Sequence, residues 1–384
     1  MDLIRSGGRR DLRVDFFRGL ALWWIYTDHI PGNVLAHYSL QNFAMCDATE
    51  VFVLLAGYGA GLAYGGTMTR QGYFYAAADT VRRAWTLYIA HIFLFVVFTA
   101  QVAYSAALLD RAYYLDEARL DVLAEAPYRA MLEALLLRFQ PSLLNILPLY
   151  VMLLLFFAIT LWLLRWPRLL LAVSFAVYVV VRATGLNMIG WTGEGWFFDP
   201  FAWQFLFMIG AVLAYAPPHM PRRRWPFDGL SVLVLAAGLL VLWVVNTHPP
   251  ILASMPHAVI RFVITEDKTG LHPFRLFSIL SLAWLVVRLV PFSAAWLRSA
   301  GAGLLVLPGQ NSLPVFCSGI FFGFLARLGL EYSDGVLMQV GVNLFGAGAM
   351  LTVAAVAAWY RAKGRMAGAR PPAGLPVTVR TDTG

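Results

Sequence analysis

The chain has 384 residues, of which 60% are hydrophobic and 13% charged, and it carries a formal net charge of +8. A soluble domain has roughly 25% charged residues, so a water-soluble fold of this size could not hide so much apolar surface, and much of it must face lipid. The basic excess sits mostly in short segments between apolar runs and in the tail, which is how membrane orientation is encoded, and this argues against a nucleic-acid partner. Cys46, ahead of one apolar run, and Cys317, inside another, form neither a disulfide framework nor a metal-ligand pattern.

Ten segments qualify as membrane spans: 13–30, 47–66, 84–106, 142–164, 168–186, 198–216, 227–246, 274–291, 303–326 and 336–359. The first does not look like a cleaved leader, because Arg18 interrupts it and it ends in Asp28-His29 instead of a small-residue cleavage site. With the N-terminus placed in the cytoplasm, the cytoplasmic segments collect Arg5, Arg9, Arg10, Arg13, Arg70, Arg82, Arg83, Arg165, Arg168, Arg222–Arg224, Arg298 and five residues of the tail. The opposite side holds Arg111, Arg119, Arg129, Arg138, Arg182, Arg261, Lys268, Arg275 and Arg327, mixed with acids such as Asp116, Glu117 and Asp121. That bias predicts an all-α integral membrane protein with about ten transmembrane helices and both termini cytoplasmic. Residues 1–361 read as a single membrane domain. Within it, 107–141 form a mixed-charge helical outer loop and 247–273 a second outer loop. Residues 362–384, rich in Pro, Gly and Thr, read as a disordered cytoplasmic tail.

Ionisable groups inside spans are costly unless they serve a purpose, so each is a candidate for function. Arg18 and His29 are eleven residues apart; at about 100° per residue this is about 20° from three whole turns, so they share a helix face at about 16 Å separation. Asp15 lies on the same face, one turn before Arg18. The second span opens with Asp47-Ala-Thr-Glu50 on the side where the first ends, so Glu50 falls at a depth similar to that of His29. A carboxylate beside an imidazole raises its basicity and fixes its tautomer, as a general base requires; the same two residues could equally pin two helices as a structural ion pair. Gly57, Gly61 and Gly65 at four-residue spacing let helices touch closely and are no phosphate loop. Arg82-Arg83 stands at the mouth of the third span, where guanidinium forks suit a phosphorylated ligand, although an ordinary positive-inside anchor has the same look. His91 reads as a satisfied interior histidine. Later spans carry uncharged clusters at Asn145 to Tyr150, Asp199 to Gln204 and Gln310-Asn311-Ser312, each able to bond a neighbouring helix or line a polar cavity.

Taken in order, these segments resemble the membrane acyltransferase-3 superfamily and, within it, the OpgC-type proteins. Asp15-Phe-Phe-Arg18-Gly and Arg18-x10-His29 resemble the opening helix of the superfamily. Glu50-Val-Phe-Val-Leu-Leu-Ala-Gly-Tyr58 is similar to its second helix, and Arg82-Arg83 to the arginine motif before its third. Asn145-Ile-Leu-Pro-Leu-Tyr150, Phe198-Asp-Pro-Phe-Ala-Trp-Gln204 and Gly309-Gln-Asn-Ser-Leu-Pro-Val-Phe-Cys317 resemble segments of the OpgC group. The resemblance spans roughly residues 9–360. It departs from the pattern at Leu55-Ala-Gly57, where many members have Leu-Ser-Gly, and in the lack of an appended extracytoplasmic hydrolase-like domain.

The resemblance implies a ten-helix enzyme of the bacterial inner membrane that passes an acyl group, succinyl in the OpgC group, from a cytoplasmic acyl-CoA such as succinyl-CoA to hydroxyls of a periplasmic glucan. No metal enters the scheme. Arg18, Arg82 and Arg83 would hold the nucleotide end of CoA. His29, oriented by Glu50, would act as base or as a covalent relay. Gln204 or Asn311 would stabilise the oxyanion. A succinyl donor needs a further cation, for which Arg182, Arg261, Arg275 and Arg288 are candidates. The rivals are acetyl transfer to a surface polysaccharide, a secondary transporter, and a scaffold without chemistry.

Overall fold

The computed structural model describes residues 10–216, 225–247 and 268–368, and among these the chain is helical apart from loops and one isolated β-bridge. The expectations for Arg222–Arg224, Arg261, most of the second outer loop and the tail from 369 onward fall outside the described residues. The first helix, α1 (Leu12–Asp28), starts where Asp11 accepts a hydrogen bond from the Arg13 amide at 3.0 Å. It stops at His29, ahead of Pro31-Gly32, a pair that cannot continue a helix. Next come α2 (Ala48–Gln71) and α3 (Tyr73–Leu109), separated by Gly72 at φ +95°, a conformation few side chains tolerate. The third helix begins eleven residues earlier than the apolar run at 84, carrying Arg82 and Arg83 well inside it. The mixed-charge loop forms three short helices, α4 (Tyr113–Glu117), α5 (Val122–Glu125) and α6 (Pro127–Leu135), as its composition indicated.

The remaining rods are α7 (Ile146–Thr160), which tightens into a 3-10 turn over Leu161–Arg165, α8 (Pro167–Thr184), α9 (Pro200–Tyr215) and α10 (Trp225–Thr247). They are followed by α11 (Pro273–Leu289), α12 (Ala300–Gln310), α13 (Ser312–Tyr332) and α14 (Val336–Gly368). The last helix runs past residue 361, so residues 362–368 belong to it. Seven helices among the described residues are long and apolar enough to cross a membrane. Three other expected spans, α1, α9 and α11, are shorter, at 17, 16 and 17 residues.

The span expected over 303–326 is broken at Asn311, which leaves helical geometry at φ −117° and ψ 35°. The cause is local. Pro308 strains the last turn of α12 and Pro314 has no amide to offer the carbonyl of Gln310. The break is sealed by side chains: Asn311 Nδ2 donates to the Leu307 carbonyl at 2.8 Å and Arg361 Nη1, from α14, donates to the Gln310 carbonyl at 3.2 Å.

Small residues set how closely the rods pack. A Cβ at Gly57 or Gly61 would collide with the backbone of Phe207 or Ala211, and one at Gly210 with the backbone of α2, so α2 and α9 touch main chain to main chain. Gly19 and Gly309 make the same kind of crossing between α1 and α12. Gly61→Val would force these backbones apart and is expected to lower stability by about 1–3 kcal/mol, seen as a lower unfolding temperature of the purified protein in detergent; an unchanged temperature would contradict the contact.

Candidate active site

Two cavities lie along α1. The first, of about 190 Å³, is lined by Arg18, Gly59, Tyr64, Arg83, Tyr150 and Ser312, with Phe52, Ile146 and Phe316 among its apolar walls. Arg18 reaches it from the second turn of α1, where Nη2 donates to the Leu55 carbonyl at 3.0 Å, and Gly59 leaves room for the guanidinium. Arg83 enters from α3. Its neighbour Arg82 does not: its side chain is 79% exposed and pairs with Asp79 at 3.0 Å, because adjacent residues on a helix point about 100° apart. Only one of the two expected mouth arginines therefore faces the cavity. Asp15, which shares the α1 face with Arg18, is bound by Arg10 at 2.6 and 2.7 Å and by Gln310 at 3.3 Å.

The second cavity, of about 340 Å³, sits at the far end of α1. Its lining includes Asp28, His29, Gln41, Asp47, Arg119, Asn145, Phe197 and Lys268. Ile146 and Phe316 line both cavities, so one apolar partition separates them. Phe52 backs that partition, with ring centroids 6.5 Å from both Phe316 and Tyr150. Arg18 and His29, at the two ends of α1, thus open into two chambers that share Ile146 and Phe316.

The chemistry of His29 is set by one bond. As the C-cap of α1 it lies 2.6 Å, through Nδ1, from the Ile25 carbonyl. A carbonyl only accepts, so Nδ1 carries the proton and Nε2 keeps its lone pair. That is the tautomer a general base needs, and it is obtained from the helix backbone, with no carboxylate involved.

Glu50 is engaged elsewhere, which corrects its expected role as the group that orients His29. It is 0% exposed; Oε1 accepts from Arg275 Nε at 2.5 Å and Oε2 accepts from the Asp47 amide at 2.8 Å. Asp47 returns the bond through the capping box that starts α2, and it also pairs with Arg275 at 3.0 Å and Lys268 at 2.7 Å. Two acids and two bases therefore close an ion cluster linking α2 to α11, with Glu50 and Arg275 buried and Asp47 and Lys268 lining the second cavity. The spacing Asp47-x-x-Glu50 was the signal for this, since an acid at the N-cap and Glu three residues later is a helix-start pattern.

The two amides expected to stabilise an oxyanion are also spent. Gln204 donates to the Ser174 carbonyl at 2.8 Å and accepts from Ser174 Oγ at 2.5 Å, tying α9 to α8. Asn311 seals the helix break, its Oδ1 accepting from Arg361. Neither lines the cavity that holds His29. The expected extra cations fare similarly: Arg275 is locked in the cluster, Arg288 bonds Asp228 at 3.3 Å and Arg182 reaches the Gly270 carbonyl at 3.5 Å. The cations that do line the His29 chamber are Arg119 and Lys268, which the sequence offered only as loop charges.

The apolar helices mark a multi-pass helical membrane protein, and the family it belongs to makes it a membrane acyltransferase. The family model described as OpgC protein matches residues 10–362, nearly the whole chain, and the chain belongs to that family. No curated protein and no solved structure matches significantly.

Arg275→Ala would strand the buried Glu50 carboxylate and leave Asp47 with Lys268 alone, a loss of about 3–5 kcal/mol. The purified variant is expected to unfold at lower temperature or to fail to accumulate, and wild-type stability would show that the cluster is dispensable.

Proposed function

We propose that this protein is an O-acyltransferase of the bacterial inner membrane with ten spans and both termini in the cytoplasm. It moves an acyl group, succinyl by the family resemblance, from cytoplasmic acyl-CoA to a hydroxyl of a periplasmic glucan. The observation that carries this reading is the pair of chambers with Arg18 and Arg83 in one, His29 in the other, and Ile146 and Phe316 common to both. Guanidinium groups match phosphate oxygens, and the first chamber lies toward the end of α1 that carries Arg10 and Arg13, the side to which the basic residues assign the cytoplasm. CoA is too polar to cross lipid. Its phosphates would stay with Arg18 and Arg83 while the narrow pantetheine arm passes between Ile146 and Phe316 and delivers the thioester to His29.

The acceptor hydroxyl enters from the far side. Its oxygen attacks the thioester carbonyl as Nε2 of His29 takes its proton. The tetrahedral intermediate collapses with cleavage of the C–S bond, the acyl group stays on the sugar oxygen, and the thiolate leaves and takes back the proton as CoA thiol. The imidazolium formed in between is held by its bond to the Ile25 carbonyl and shares the chamber wall with the carboxylate of Asp28.

His29→Ala in membranes that contain folded protein is expected to cut glucan acylation by roughly 10²–10⁴, read by mass spectrometry of the glucans, where the mass increment also tells succinyl from acetyl. Undiminished acylation would remove His29 from the mechanism. Arg83→Gln is expected to raise the acyl-CoA KM about tenfold, the loss of one charge-assisted hydrogen bond, whereas Arg82→Gln leaves it near wild type; equal effects would place the phosphates outside the first chamber. Phe316→Trp is expected to suppress transfer while acyl-CoA still binds, because it fills the partition.

A further inference from the structure

The wall of the His29 chamber holds polar side chains without protein partners among the described residues, which the fold does not explain. Asn145 occupies the N-cap position of α7, where an Asn side chain ordinarily accepts a hydrogen bond from the first turn. Here it makes no such bond, and among the described residues none to any other group, and it lines the chamber instead. Gln41 lines the same space and has no side-chain hydrogen bond among the described residues. Asp28, next to His29, has an enclosed carboxylate oxygen, Oδ1, without a hydrogen-bond partner. An unmatched buried acceptor is costly, and a small rotation toward an occupant's hydroxyl would satisfy it.

An aromatic ring completes the set. Phe197 lines the chamber and is 45% exposed, yet it stands on a rigid base. Its neighbour Phe198 packs edge-on against it at 4.7 Å and against the fully buried Trp203 at 5.1 Å. Trp203 in turn donates to the Lys268 and Thr269 carbonyls at 3.0 and 3.1 Å. A large ring held at a polar rim, with planar amides facing the same space, is the chemistry that takes a pyranose: the ring covers the apolar C–H face of the sugar while the amides bond the equatorial hydroxyls.

We infer that Phe197 and Asn145 are the residues that position the acceptor, with Phe197 as a stacking platform for a neutral sugar ring and Asn145 as the hydrogen-bonding arm that turns one hydroxyl toward His29. Gln41 and Asp28 complete the hydroxyl contacts. The inference rests on the acyl-transfer reading for what happens next, but the binding site itself does not require it. Phe197 and Asn145 touch the sugar and leave the proton transfer to His29, so their loss weakens acceptor capture more than turnover.

The test separates the two claims by measuring binding without a donor. Full-length protein in nanodiscs is titrated with a neutral β-gluco-oligosaccharide, and transfer from acyl-CoA is followed in parallel. Wild type is expected to bind the oligosaccharide saturably, and His29→Ala to bind it comparably. Phe197→Ala and Asn145→Ala are each expected to weaken binding about tenfold and to raise the acceptor KM by a similar factor with kcat changed less than threefold, one lost contact apiece. Phe197→Tyr should restore both quantities, which repair of a general folding defect would not require. Oligosaccharide binding unchanged by both alanine variants would overturn the inference even if transfer is robust, and so would tight binding of a charged uronic oligosaccharide with none of the neutral one. Sugar binding with the expected variant pattern but no acyl transfer from any acyl-CoA would leave this site standing and sink the proposed reaction.

Discussion

Every polar group inside an apolar bundle has to find its partner within the protein, because lipid offers none. That constraint organises this molecule more than any apolar contact does. It explains why Glu50 and Asp47 are closed by Arg275 and Lys268, why Gln204 turns both ends of its amide toward Ser174, and why the carbonyl freed by Pro314 is met by Arg361 across two helices. With those groups satisfied, the polar groups that line the chambers stand out: the guanidinium groups in the first, Nε2 of His29, and the amides of the second. The rule has exceptions away from the chambers: both ring nitrogens of buried His91, expected to be satisfied, lack a hydrogen-bond partner among the described residues.

Close backbone packing supplies the second half of the arrangement. Where Gly57, Gly61 and Gly210 bring α2 against α9, and Gly19 and Gly309 bring α1 against α12, helices approach without side chains between them. The first chamber lies between α1, α2, α3, α7 and α13. The partition between the two chambers is made by the apolar side chains of Ile146 and Phe316, which line both.

Much of this was legible in the sequence because hydropathy and spacing are local. The rods and the small-residue stripe of α2 follow from periodicity, and the helices of the loop at 107–141 from its composition. The partners of polar groups were not legible, because they depend on which helices meet. Glu50 and His29 sit at similar depth, and depth alone made them neighbours; Arg275, more than two hundred residues away, competes for the carboxylate with a full charge and wins. Arg82 and Arg83 looked equivalent as a pair, yet their different azimuth on α3 sends one into the chamber and the other to Asp79. Gln204 and Asn311 were attractive as amides within spans, but each sits beside backbone that needed it more. The capping-box spacing at Asp47-x-x-Glu50 and the Pro308 and Pro314 pair around Asn311 were the available warnings, since both are helix-terminus signals.

Transfer as proposed requires the acyl-CoA arm to cross the partition between the chamber of Arg18 and Arg83 and the lone pair on His29. A cryo-electron microscopy structure with a non-hydrolysable thioether analogue of acyl-CoA tests it directly. The expected structure has phosphates beside Arg18 and Arg83, the pantetheine arm between Ile146 and Phe316, and the acyl carbonyl within reach of His29 Nε2. An analogue bound anywhere that leaves the partition closed and His29 without a neighbouring acyl group would contradict it.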